Sequence, residues 1–208
     1  MTDAEMIDSP DSARQLARLR SIMHRLRAPG GCPWDAEQTH ESLVSNLIEE
    51  AFETVDTIRR GDHEHLKEEL GDLLLQVIFH SELAEEAGRF NLDDVARGIS
   101  DKLVRRHPHV FAQSDAADTD AVLQQWDAIK RAEKGDEAEP YLHGVGKGLP
   151  ALMRAAKLQK KAAKVGFDWP DAAGVIAKIR EELAELEAAM ESADEEHIDE
   201  ELGDLLFS

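Results

Sequence analysis

LIEEAFETVDTIRRGDHEHLKEELGDLLLQ, residues 47–76, decides the fold. Leu47, Ala51, Val55 and Ile58, with Leu43 just upstream, recur at the spacing of one helical face, and Leu66, Leu70, Leu73, Leu74, Val77 and Ile78 do so again after the turn RRGDH. Two amphipathic helices joined by so short a turn form an antiparallel hairpin. Glu50 and Glu53 are three residues apart on the first helix, as are Glu69 and Asp72 on the second, so each pair projects from one face. The hairpin is expected to gather these four acids beside an apolar seam.

The same stretch occurs twice. IREELAELEAAMESADEEHIDEELGDLLFS from Ile179 aligns with the segment from Leu47, and Glu49, Glu50, Glu53, Glu69 and Asp72 fall on Glu181, Glu182, Glu185, Glu201 and Asp204, each 132 residues on. Positions 54–61 share no residue with 186–193, so the acids recur across an otherwise diverged segment. Upstream, LARLRSIMHRLR before CPWD has its counterpart in LMRAAKLQKKAAK before FDWP. The chain is a duplicated helical unit.

Outward from the hairpins, helical patterns cover 11–27, 92–106, 119–134, 150–165, 172–192 and 196 to the end, and no segment alternates as a strand. Glycine and proline cluster at 28–35, 105–111, 135–150 and 165–170 and break these patterns. The reading is all-α, with two tandem related helical-bundle units: 1–134, a linker at 135–150, and 151–208. Subtracting 132 places Ser208 opposite Gln76, so the second unit is expected to be truncated, without counterparts of Lys102, Arg106 and Trp126.

Forty-four acidic residues against twenty-four basic give a net charge of -20, which repels nucleic acid polymers and anionic membrane surfaces. Apolar stretches are short and interrupted by charge, and the N-terminus lacks the regions of a signal peptide, so the expected location is the cytoplasm. Cys32 is the single cysteine, which excludes an internal disulfide and a structural zinc cluster of cysteines.

Four facing carboxylates repel one another and call for cations. An all-oxygen set suits a hard divalent ion, magnesium or manganese, and so suits phosphate chemistry. A solvated helix face is the plain alternative for any one Glu-x-x-Glu; recurrence of the whole set favours the metal reading. Lys102 and Arg106 share a face of the next helix, placed to hold phosphate oxygens while Asp101 turns to the acids, although such a pair is also ordinary surface charge. Trp126, four residues before Lys130, offers either a stacking face for a nucleobase or a core tryptophan.

EEAFE followed by EELGD resembles the motif of the all-alpha nucleoside triphosphate pyrophosphohydrolases, and CPWD and RRHPHVF look specifically like the MazG family. The resemblance runs from about Leu16 to the end. It implies hydrolysis between the alpha and beta phosphates of a nucleoside triphosphate with Mg2+, Mn2+ being a possible substitute, and a homodimer. Carried over by motif, Glu50, Glu53, Glu69 and Asp72 would be metal ligands in the first unit, and Glu182, Glu185, Glu201 and Asp204 in the second. Lys102 and Arg106 match phosphate-binding positions, and Trp126 matches a tryptophan near the base. Glu49 and Glu181, beside the ligands, would serve either as acceptors of a proton from the attacking water or as outer acids. Housecleaning of abnormal nucleotides and broad triphosphate hydrolysis are both compatible with these motifs.

Two other classes compete. A di-iron carboxylate bundle expects two Glu-x-x-His motifs on facing helices, and the metal helices contain none, Glu37 with His40 being a single instance elsewhere. A regulatory protein that binds nucleotide or a partner without turnover is the non-enzymatic alternative. Apolar Leu202, Leu205, Leu206 and Phe207 would then be covered by self-association.

Overall fold

The computed structural model describes residues 1–7, 11, 14–112, 118–133, 141–192 and 194–208. Over these the chain is all-α: eleven helices and no strand. It divides into two compact units, Met1–Ala132 and Glu133–Ser208. Residues 135–140 of the expected linker lie outside the described residues. Its remainder, 141–150, is turn, with Val145 buried and the Tyr141 ring 4.9 Å from Lys161 Nζ.

The first unit is built on α4 (Val44–Arg60) and α5 (His63–Glu86). Gly61, with φ +66°, ends α4 in the left-handed conformation, and Asp62 then caps α5 by accepting from the His65 amide. Before the hairpin come α1 (Asp3–Ile7), α2 (Gln15–Arg27) and α3 (Pro33–Glu37). After it come α6 (Leu92–Arg106), α7 (Pro108–Phe111) and α8 (Thr119–Glu133). The long helices lie where periodicity predicts them. The short α3 and α7 arise inside segments expected only to break the chain, because Pro33 and Pro108 occupy a first helical position, where a missing N–H costs nothing.

Met23 of α2, Leu43, and Ile78 and Phe79 of α5 form the core, with Leu19, Leu75, Leu83 and Leu92 packed against it. Charge pairs fasten α2 along the same edge of α5. Arg27, its side chain only 6% exposed, chelates Glu86 with two contacts of 2.8 Å, donates to the carbonyls of Asp35 and Gln38, and lies over the Phe79 ring. One turn earlier His24 Nδ1 meets buried Glu82 at 2.6 Å, and Arg20 reaches Glu85 and Asp93.

The α4–α5 seam differs from the expected apolar one. Leu47, Val55 and Ile58 are exposed, and the buried α4 residues are Thr54 and Thr57. Thr54 Oγ1 donates to the carbonyl of Glu50 at 2.8 Å and approaches that of Glu69 on α5 at 3.4 Å, while Thr57 Oγ1 bonds the Thr54 carbonyl at 2.9 Å. Short side chains that satisfy their hydroxyls on the backbone bring the helices close, while Leu47 and Ile58, one to two turns from Thr54 on α4, stay exposed.

The second unit comprises α9 (Ala151–Ala163), α10 (Ala172–Ser192) and α11 (Glu195–Phe207). α10 and α11 repeat the hairpin, and Asp194 caps α11 through the His197 amide, the counterpart of the Asp62–His65 cap. Ala189 is buried where the first unit has Thr57. Gly174 is required by close approach: a Cβ there would come within 2.5 Å of the Trp169 ring. No described helix is long and apolar enough to cross a membrane.

Gly61 has open space around its missing Cβ, so only its backbone conformation opposes substitution. Gly61→Ala is expected to destabilise the chain by about 1 kcal/mol and Gly61→Asn by less, measured by urea denaturation.

Candidate metal centre

On α4 and α5, Glu50, Glu53 and Glu69 each offer a carboxylate oxygen within 4.8 Å of the others. Helical geometry puts the first two one turn apart, and the Thr54 hydroxyl, bonded beneath them to the Glu50 carbonyl, sets the distance to Glu69. Asp72 stands outside this close trio, yet its charge is felt by both Glu50 and Glu69. Burial first, then Asp72, Glu53, Glu49 and Glu69, pushes the Glu50 carboxyl above the ordinary range. Glu69 is raised by burial and then by Glu53 and Asp72. Among the described residues no cation pairs with any of the four acids.

The second unit brings its acids together in two trios that share Glu182: Glu181, Glu182 and Glu185, and Glu182, Glu201 and Asp204. Glu185 is raised by burial, then by Glu201 and Glu182. Oxygen donors only, crowded and mutually repelling, make a donor set that fits a hard divalent cation.

The remaining sequence candidates are less tightly gathered. Glu49, Glu181, Asp101 and Lys102 are exposed, and Arg106 at the end of α6 is half-buried. Trp126 on α8 is half-buried, set edge-on to His107 with ring centroids 5.0 Å apart and with Lys130 Nζ 5.9 Å above it. Its indole N–H is hidden and has no hydrogen-bond partner. His40, half of the single Glu-x-x-His, stacks on His80 with the two Nδ1 atoms 2.9 Å apart. Burial, and then His40, holds His80 below its ordinary range.

Sequence reasoning missed Lys178. Its Nζ lies 2.8 Å from Glu181 Oε1 and 2.5 Å from Glu182 Oε1, and these contacts raise its pKa. The signal was present in the four-residue spacing from Lys178 to Glu182. His197 was missed in the same way, with Nε2 3.0 Å from Glu201.

Raised carboxyl pKa values mean that the folded chain binds protons more tightly than the unfolded one at these groups. The stability they contribute is present below the ordinary value of 4.5 and is lost as pH rises through the raised values. Without metal, Glu50→Gln is therefore expected to raise the thermal midpoint by about 2 °C at pH 7 and to leave it unchanged near pH 4. Calorimetry of parent and variant across that range checks the sign.

Comparison with known proteins supplies the lineage. The MazG nucleotide pyrophosphohydrolase domain matches residues 38–111, which span α4, α5 and α6. A nucleoside triphosphate pyrophosphohydrolase of Escherichia coli (strain K12) is 48% identical over 198 residues, covering 93% of this chain and 75% of that protein. The nucleoside triphosphate pyrophosphohydrolase/pyrophosphatase MazG of Thermotoga maritima is 47% identical over 190 residues, covering 91% and 72%. A nucleoside triphosphate pyrophosphohydrolase of Mycobacterium tuberculosis is 42% identical over 168 residues, with 79% and 50% covered. Acidic hairpins on an all-α frame and identity of this extent lead to one conclusion: the chain belongs to the MazG family of nucleotide pyrophosphohydrolases.

Proposed function

We propose that the chain hydrolyses nucleoside triphosphates between the alpha and beta phosphates, releasing the monophosphate and pyrophosphate, with magnesium held by the carboxylate clusters. The observation that carries this reading is the close trio Glu50, Glu53 and Glu69, two of whose carboxyls are raised by burial and crowding and which have no cation of their own. Manganese, with the same preference for oxygen, would substitute.

When bound, a divalent cation supplies neutralisation of the leaving pyrophosphate and polarisation of the phosphoryl oxygens. The chain's own groups do the rest. Glu50, Glu53, Glu69 and Asp72 hold the ion in the first unit, as Glu182, Glu185, Glu201 and Asp204 do in the second. Lys102 and Arg106, one turn apart on α6, hold phosphate oxygens, and Asp101 faces the metal cluster. Water attacks the alpha phosphorus, the bridging P–O bond to the beta phosphate breaks, and Glu49 takes the water's proton; Glu181 is its counterpart in the second unit, where Lys102, Arg106 and Trp126 have no counterparts, so the first unit is the more complete site. Trp126, with its unpaired indole N–H, lies against the base. Clearing abnormal nucleotides from the pool is the use we assign to this activity.

A homodimer completes this reading. Ile48, Phe52 and Val55 on α4 and Leu70, Leu74 and Val77 on α5 are exposed around the hairpin, an apolar surface that a second copy would cover.

Pyrophosphate release from each common nucleoside triphosphate, with and without magnesium, tests the proposal. The unaltered chain is expected to release pyrophosphate only with the metal, and Glu50→Gln/Glu53→Gln to lower the rate at least a hundredfold. Undiminished release by that variant would move catalysis away from the first cluster, and no release by either protein would remove the hydrolase reading.

A further inference from the structure

The two acidic clusters carry the same ligand types but differ in what neutralises them. In the second, Lys178 extends from α10 onto Glu182 at 2.5 Å and Glu181 at 2.8 Å. Glu182 is the carboxylate that both trios share, and only 4% of it is exposed. Across α11, His197 holds Glu201 at 3.0 Å. Moving back 132 residues replaces Lys178 by Asn46, a neutral amide. His65, the counterpart of His197, turns instead to the capping Asp62 at 2.7 Å. The first cluster thus has no ion-paired cation among the described residues, His65 acting on Glu69 only from its place on Asp62, whereas the second holds an ammonium on its most buried acid.

Resting on the reading of these acids as divalent-cation ligands, we propose that Lys178 is a displaceable counter-cation of the second cluster, which makes that cluster the weaker metal site and loads the two units at different metal concentrations.

The physics runs through charge and reach. An ion entering the first cluster meets carboxylates with no ammonium bonded to them. One entering the second must either sit beside the ammonium and be repelled, or detach it from Glu182 and Glu181. Detachment is feasible, because the Lys178 side chain is 37% exposed and its four-carbon stem swings into solvent without disturbing the helix. Buried Glu182 cannot stay unpaired at low cost, so the ammonium leaves only as another cation arrives. Repulsion between a single and a double charge a few ångströms apart at a solvated site corresponds to about tenfold in affinity.

Titrating the full chain with manganese(II) in the absence of nucleotide, and reading the free ion by electron paramagnetic resonance, tests this. Two classes of site are expected, and Glu53→Gln is expected to remove the tighter one. Lys178→Gln should tighten the weaker class by about tenfold, and Asn46→Lys should weaken the tighter class by a similar factor, with unchanged far-ultraviolet circular dichroism confirming the helices. A single class of equal sites, or a weaker class that Lys178→Gln leaves unchanged or weakens further, overturns the counter-cation role while the ligand reading stands. Absence of saturable binding by the unaltered chain overturns the ligand reading itself.

Discussion

Repulsion among carboxylates that face one another across a two-helix hairpin is the constraint around which the rest of the first unit is arranged. Glu50, Glu53 and Glu69 converge within 4.8 Å, and with Asp72 nearby the electrostatics alone would drive α4 and α5 apart. The opposing force is local. Thr54 and Thr57 are buried directly beneath the acids, and the Thr54 hydroxyl lies between the carbonyls of the two residues whose side chains repel, Glu50 and Glu69. Gly61 closes the hairpin in a conformation that most side chains resist, and the Asp62 cap starts the return helix at once. A frame that presses like charges together in this way gains stability from any cation that enters, which couples binding to folding.

The edge of α5 away from the acids is held by the opposite electrostatics. Arg27 is nearly buried, chelated by Glu86, and spread over Phe79, so its charge and its stem both serve to dock α2. That chelation lowers the Glu86 carboxyl pKa, while burial, and then crowding, raises those of Glu50 and Glu69. One helix therefore carries satisfied carboxylates toward its C-terminal end and unsatisfied ones toward its N-terminal end. The core residues Ile78 and Phe79 lie between them and tie the position of Glu69 to the α2 contact.

Much of this was legible in the sequence, for a physical reason. The acids sit at i and i+3 on helices whose apolar period is unambiguous, so element type follows from spacing, whereas spacing alone does not show that Asp72 stands outside the close trio or that Glu181 joins one. The seam was not legible. Leu47, Val55 and Ile58 look like the packing face of α4, yet the buried residues are Thr54 and Thr57, because a count of apolar residues passes over a threonine that shares their face and satisfies its hydroxyl on the backbone. The short helices α3 and α7 were hidden for a different reason, since a proline that ends one helix can begin another. Side-chain reach hid the rest: Asn46 and Lys178 occupy matching positions, and the consequence of that difference emerges only when the ammonium is seen on Glu182.

The two hairpins can differ in sequence without losing their common shape. Each has an aspartate cap and a small buried residue in the seam, Thr57 in one and Ala189 in the other, and neither depends on the charge balance of the acids. The set of acids is therefore free to keep its geometry while the groups around it change. Replacing a neutral amide by an ammonium four residues before the shared carboxylate alters the local charge without moving a helix, because the interaction spans a single turn on one face. Such a substitution acts on how strongly a cation is drawn in and leaves untouched where it would bind. Two copies of one frame can in this way come to answer different concentrations of the same ion.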